Sequence, residues 1–496
     1  DYFLFYAQGP DQWEKDSLNQ RFRFKKNLYS DEAYYFLTIG GTGLRVTGQQ
    51  TIPVPNRVQT TFRDRYAYEL DTVNLLRSGK QWYGEEFGNA PGRVLTRNFT
   101  VNLPHLVPGT QVTLLSHVIA RSTGASSSFA VRANNNTVLT HVLPAVGTGT
   151  YDLVATSSEL FTGFQLTQNT LSLQYQYQPI SVNAQGWLNW FQLFVVRQLN
   201  LAGLEQLAFR DWETVGPGNI TEFRIQNAGS ATQVWDVTEP AMPVALQPNL
   251  LGNEMRVVQT TSRLREFIAF NPQNLPRPQP AGTVPNQNLH ALTARDYVVV
   301  THPSLLTEAQ RLANFHQQRG LRTVVVTIEQ VYNEFASGTP DPGAIRDFVK
   351  MLYDKAGSVT TNRPRYLLLM GDASFDYKNR TPGNTNLVPS WQNDVSLDPL
   401  ATYVSDDFFG FLDDNDDVNR FFPPPLLDVG IGRIPARTLQ EARQVVDKIL
   451  RYHEPASLGP WRREICLVAD DEDNNLHFDD AEFHAAAIAQ KPLFQL

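Results

Sequence analysis

The residues best placed for chemistry in this 496-residue chain lie between positions 365 and 437. Tyr366-Leu367-Leu368-Leu369-Met370 is a short apolar run that stops at Gly371-Asp372. Ser405-Asp406-Asp407-Phe408-Phe409-Gly410 follows, then the acidic loop Asp413-Asp414-Asn415-Asp416-Asp417, and Val429-Gly430-Ile431-Gly432-Arg433-Ile434-Pro435 closes the stretch. Buried parallel strands read as apolar runs, and ligands gather where such strands end. Two strand ends with acidic exits are therefore the strongest site signal; the plainer alternative is that Gly-Asp only turns a strand into a loop. Asp413-x-Asn415-x-Asp417 resembles the first half of a calcium loop, because alternate oxygens can converge on one hard cation. It lacks the glycine and distal glutamate of an EF-hand, and a solvated acidic turn is the competing reading.

Other nucleophile and metal patterns are weaker. Ser374 in Gly371-Asp372-Ala373-Ser374-Phe375-Asp376 lacks the second glycine of a nucleophile elbow. Cys466, the sole cysteine, falls in the apolar run 464–470. A reactive cysteine needs exposure, a lowered pKa and a base, whereas cysteine in an apolar strand behaves as a small hydrophobe. His477 and His484 are about two helical turns apart, too far for zinc pairing on a helix, and sit among Asp479, Asp480 and Glu482. Gly430-x-Gly432 is only a fragment of a phosphate-cradling loop.

The elements that must position these residues change character near residue 290. Before it, short segments separated by Gly, Pro and Asn read as strands: 34–39, 60–69, 112–121, 128–132, 171–177, the dense 187–196, 233–238 and 264–270. That rhythm predicts β-sandwiches, divided here into a β-rich domain at 1–110 and a sandwich at 111–270. Five prolines between 271 and 288 predict an extended linker at 271–290. From 291 to 496 strands and helices alternate: strand 297–301, a helix from Ser304 to Arg319 stopped by Gly320, strand 322–328, helix 342–356, the strand from Tyr366, a helix opened by Thr438 and Glu441, strand 464–470 and helix 478–490. This order predicts a parallel sheet with right-handed crossovers. It breaks off where another strand is due, so the expectation is the first part of a larger α/β domain.

Composition sets limits. No apolar run reaches the ~18 residues of a membrane-spanning helix. A net charge of −8 and pI near 5.7 argue against a nucleic-acid partner. A single cysteine excludes an internal disulfide framework. Few Lys and Arg, many Asn, Gln and Thr, and 11% aromatics lean toward an exported β-rich protein.

Asp296-Tyr297-Val298-Val299-Val300-Thr301, the stretch from Tyr366 to Tyr377, Tyr403-Val404-Ser405-Asp406-Asp407-Phe408-Phe409-Gly410 and Val429 to Pro435 occur in an order that resembles the gingipain-like (C25-type) cysteine peptidases. The sortase type that serves the bacterial type IX secretion system is the nearest likeness. Ser78-Gly79-Lys80-Gln81-Trp82-Tyr83-Gly84-Glu85-Glu86-Phe87 and Val234-Trp235-Asp236-Val237-Thr238 carry the likeness into the β half. The resemblance implies β-sandwich-type domains followed by a caspase-like α/β domain with a parallel sheet. It implies a Cys–His dyad with an orienting acid, a role that falls on Asp406 with Asp407 as competitor. The family's histidine lies in a His-Gly segment and its nucleophile in a later cysteine segment, both past the position matching Leu496; this chain has no His-Gly dipeptide. The sequence is therefore expected to be a fragment without its dyad, inactive alone. The intact protein, by resemblance, is exported through a cleaved signal peptide to the cell surface or outer membrane. There it would remove C-terminal sorting domains from secreted cargo, join the cargo to anionic lipopolysaccharide, and pair with an outer-membrane anchor protein of the PorV type. No cofactor is required by that chemistry; calcium at Asp413, Asn415 and Asp417 is the one ion the sequence suggests. The alternatives are a secreted endopeptidase whose β region is a removable propeptide, or a non-catalytic surface binding protein.

Overall fold

The structure, a computed structural model, describes residues 3–420 and 425–491. Its β half forms two sandwiches. In the first, the long strand Gln185–Gln198 lies between Gln111–Arg121 and Thr61–Glu69, with Thr156–Gln165 at one edge; Asn136–Leu143, Ser127–Ala133, Thr170–Gln178 and Thr96–Asn102 form the facing sheet. Alternation on Thr170–Gln178 puts Leu171, Leu173, Tyr175 and Tyr177 inward against Phe129, Phe191 and Leu193, while the intervening residues stay wetter. The second sandwich has its core around Phe209, Phe223, Met255, Val257 and Phe267. It recruits two short strands from the N-terminal region, Thr47–Gly48 and Arg57–Gln59, both in parallel pairings.

This arrangement corrects the expected division at residue 110. Strands on both sides of that position belong to one sandwich, because Pro104, Pro108 and Gly109 turn the chain from one sheet to the other. Residues 34–39 are not a strand either. They run irregularly and pair with no strand among the described residues, and Tyr34 and Phe36 lie against Gly338 of the α/β half. The Pro-rich segment makes a 3-10 turn at Pro272–Asn274, has no helix or strand from there to Leu289, and ends docked: Gln287 Nε2 donates to Gln330 O and to Glu334, both at 2.8 Å.

The α/β half contains β1 (Tyr297–Thr301), α1 (Leu306–Gln318), β2 (Thr323–Thr327), α2 (Ile328–Phe335), α3 (Pro342–Ala356), β3 (Tyr366–Met370), the two-residue strands β4 (Trp391–Gln392) and β5 (Val404–Ser405), β6 (Gly430–Ile434), α4 (Leu439–Tyr452) and α5 (Glu472–Ala489). Four strands form a wholly parallel sheet in the order β2-β1-β3-β6. β1 is buried along its whole length because helices cover both faces: α1 and α4 pack on Val299, Leu368 and Met370, and α2 and α3 pack on Val298, Val300, Leu367 and Leu369. Ser304 does not cap α1; a 3-10 turn precedes the helix, capped by His302. Thr438 does cap α4, accepting from Glu441 N at 3.2 Å. The expected strand at 464–470 is absent. Among the described residues 465–470 form no strand, Glu464 makes only a bridge, and Val468 is 92% exposed, so this apolar stretch lacks the cover of a buried strand.

Candidate functional site

The carboxyl ends of β1, β3 and β6 converge beneath the insertion between β3 and β6. Gly371 N donates to Ile434 O (2.9 Å) and Asp372 N to Ala436 O (3.0 Å), so β3 and β6 stay joined past their ends. Gly371 sits at φ +153°, and a side chain there would meet Val388 Cγ2 at 2.8 Å, so glycine is required at the exit. Asp372 is fixed rather than free: Arg437 Nε donates to it at 2.9 Å, as does Thr385 Oγ1, and its carbonyl accepts from Leu387 and Val388.

Asp406 follows β5 and is tied to the sheet by Arg433 from β6. Arg433 Nε and Nη2 each donate to one Asp406 oxygen at 2.7 Å, a two-pronged guanidinium–carboxylate pair. The same guanidinium donates to Gly371 O (2.9 Å), Val388 O (2.7 Å) and Pro389 O (3.1 Å). One side chain thus pins the end of β3, the insertion and the Asp406 turn together. Asp406 still has lone pairs to offer, and no histidine among the described residues bonds to it. Its competitor Asp407 is exposed, with its backbone N–H on Ser405 Oγ (3.1 Å). Arg433 was legible only as part of a glycine-rich strand; the signal that could have singled it out is a guanidinium at the end of an otherwise apolar strand.

Above this pair lies an aromatic stack. Trp391 stacks on Phe408 with centroids 5.7 Å apart and planes 16° apart. Arg346 of α3 covers Phe408 at 5.5 Å, and Lys80 from the first sandwich covers Trp391 at 4.5 Å. Nearby, Trp82 stacks on Phe375 (5.6 Å, 9°), with Arg380 over Trp82 and paired to Asp71 at 3.3 Å. Tyr377, edge-on to Tyr29, is buried, which pushes its hydroxyl pKa up. The β half therefore forms one wall of the insertion.

The remaining candidates fall elsewhere. Ser374 Oγ donates to Asn384 Oδ1 and accepts from Asp376 N (3.0 Å), a turn-locking role. In the acidic loop, Asp413, Asp416 and Asp428 bring carboxylate oxygens within 4.8 Å of one another and could hold a hard cation. Asp417 stands outside that group and caps Asn419 N at 2.9 Å. Asp428, which also accepts from Tyr353 OH (3.0 Å) and Leu412 N (3.0 Å), was missed because it lies far along the sequence. Cys466 is exposed rather than buried in a strand. His477 meets Asp473 at 3.6 Å on the surface of α5.

Residues 290–495 match the model of peptidase family C25. This part of the chain is similar to the gingipain-like C25 peptidase domains. The whole chain overlays the crystal structure of dimeric latent PorU from Porphyromonas gingivalis with a TM-score of 0.77 at 24% identity, over 96% of this chain and 46% of that one. The chain thus has the PorU-type fold in both halves and spans about half the length of that protein. A structure described as a protease (TM-score 0.26, 18% identity, 36% of this chain and 33% of that one) is too slight a likeness to bear on the fold. The same holds for the carbohydrate-binding module CBM36 with calcium and xylotriose (TM-score 0.17, 7% identity, 25% of this chain and 98% of that one). No curated protein matches the chain.

Proposed function

We propose that the intact protein is a cell-surface cysteine peptidase and transpeptidase of the type IX secretion system. It removes C-terminal sorting domains from secreted cargo and joins the new carboxyl end to anionic lipopolysaccharide. The observation that carries this reading is the PorU-type fold running through both halves, with the C25 match on the second. In this reading a thiolate attacks the cargo carbonyl, the bond to the sorting domain breaks with its amine leaving protonated, and an acceptor amine displaces the thiol from the thioester. Asp406, held by Arg433, serves as the acid that orients the imidazole. The cysteine and histidine come from the part of the protein outside this chain, and an outer-membrane anchor protein of the PorV type retains the enzyme at the surface.

The test begins with the intact mass of the native protein from its producing cells. The full-length protein is then incubated with cargo bearing a sorting domain, with and without an amine acceptor. Thiol-dependent release of the domain and an acceptor-linked product are expected. Hydrolysis alone, at simple Arg or Lys peptides, would favour an ordinary endopeptidase. Thiol-dependent cleavage by the 496-residue chain itself, abolished by Cys466→Ala, would overturn the assignment of the dyad to residues outside it.

A further inference from the structure

We infer that Lys80, on a loop of the first β-sandwich, is a positioning residue for the Asp406 turn of the peptidase domain. The loop is itself rigidly built. Asn74 Nδ2 donates to the carbonyls of Ser78, Gly79 and Gln81, and its Oδ1 accepts from Ser78 N. Gly79, at φ +77°, lets the loop approach so closely that a Cβ there would lie 2.1 Å from Val395 O. Lys80 N then donates to Asn393 O at 3.0 Å, and Gln81 N to Ser396 Oγ at 2.9 Å. This fixes the backbone of the segment joining β4 to β5. The Lys80 side chain is only 13% exposed; its ammonium lies over Trp391 and 3.4 Å from Asp394.

Trp391 carries the contact inward. It is 5% exposed and stacks on Phe408, two residues after Asp406, and Arg346 lies over the Phe408 ring. Arg346 is in turn held by its Nε bond to Phe411 O at 2.7 Å. Each ring of the stacked aromatic pair thus carries a cation, and the turn bearing Asp406 is joined to that pair. Arg433 fixes the carboxylate from the sheet side; Lys80 fixes the turn from the other domain. A partly desolvated cation–π contact can change a local opening equilibrium about tenfold, or ~1.4 kcal/mol. The inference rests on the proposed function only for its effect on turnover.

The test uses the full-length protein with Lys80→Met, Lys80→Arg and, separately, Asp406→Asn. Amide exchange at Phe409, whose N–H bonds Asp406 O at 3.0 Å, reports the turn; amides of β3 report the sheet. Lys80→Met should speed exchange at Phe409 about tenfold, leave β3 unchanged and lower kcat with KM nearly constant, and Lys80→Arg should restore both. Unchanged exchange at Phe409, or equal acceleration in β3, overturns the inference. Acceleration confined to Phe409 together with full turnover in Asp406→Asn supports the positioning role and defeats the catalytic reading of Asp406 instead.

Discussion

Replacing Arg433 with methionine tests the centre of the site most directly. The methionine keeps most of the apolar stem and removes the guanidinium. Five hydrogen bonds disappear, two to Asp406 and three to carbonyls of two other segments. Both partners of the pair are largely buried, with Arg433 14% and Asp406 23% exposed. Breaking a buried ion pair from one side costs roughly 3–5 kcal/mol, and the remaining access of Asp406 to water moves the expectation to about 3 kcal/mol. Because a protein of several domains does not unfold in one step, the fitting assay is native-state hydrogen exchange on β6 and on Phe409. A loss of ~3 kcal/mol appears there as exchange faster by about two orders of magnitude. Lysine at this position keeps the charge but lacks the planar fork, so Arg433→Lys should recover less than half of the loss. The double variant with Asp406→Asn should be less damaging than the two single effects summed, because the second change removes the stranded carboxylate. A loss below ~1 kcal/mol in Arg433→Met, or full recovery by lysine, would refute the role of the fork.

Two further predictions concern pH. His141 lies in the core of the first sandwich between Ser116 Oγ (3.0 Å) and Ser158 Oγ (2.9 Å), and burial lowers its pKa to about 4. The unfolded chain therefore takes up the proton first as pH falls. Stability from this site is full above about pH 6.5 and falls by ~3 kcal/mol down to about pH 4, and acid-unfolding profiles should show a shallower loss in His141→Gln. Glu69 behaves oppositely: burial, then the nearby Asp71 charge, raises its pKa to about 8. Its contribution is full below the ordinary carboxyl pKa and is lost as pH rises toward 8, so Glu69→Gln should flatten a thermal-stability profile between the ordinary carboxyl pKa and about pH 8.

The parallel sheet was legible because its strands carry their own signal: Val298 to Val300 and Leu367 to Leu369 have no polar face, and such runs are buried on both sides. The same signal misled at 464–470, where composition suits a strand but, among the described residues, only Glu464 makes a bridge. Strand identity is local; pairing is not. The boundary at 110 failed for a related reason, since Pro and Gly mark a turn equally well inside a sandwich and between domains. At the site, Asp372 and Asp406 were visible as acids at strand ends, but their partners Arg437 and Arg433 were not. The Asp372–Arg437 pair spans 65 positions, and no periodicity connects such residues. Lys80 is further still from Trp391, and only a folded seam brings them together.

That seam also bears on the role of the β half. Here the contact includes backbone pairing: Lys80 N with Asn393 O at 3.0 Å, and Val154 N with Leu397 O at 2.9 Å. Lys378, with its side chain 4% exposed, reaches Asp31 of the N-terminal region, and Leu397 packs against the cluster of Tyr83, Ile119 and Trp187. Separation would leave buried donors without acceptors and strip apolar cover from both sides, each lost backbone bond costing ~1–3 kcal/mol until water repairs it. Residues from the first sandwich brace the same insertion that carries Asp406, so the sandwich behaves as part of the peptidase domain's wall. A cleaved and discarded β half would take Lys80 away from Trp391 and Trp82 away from Phe375, leaving the turn that holds Asp406 anchored by Arg433 from the sheet side alone.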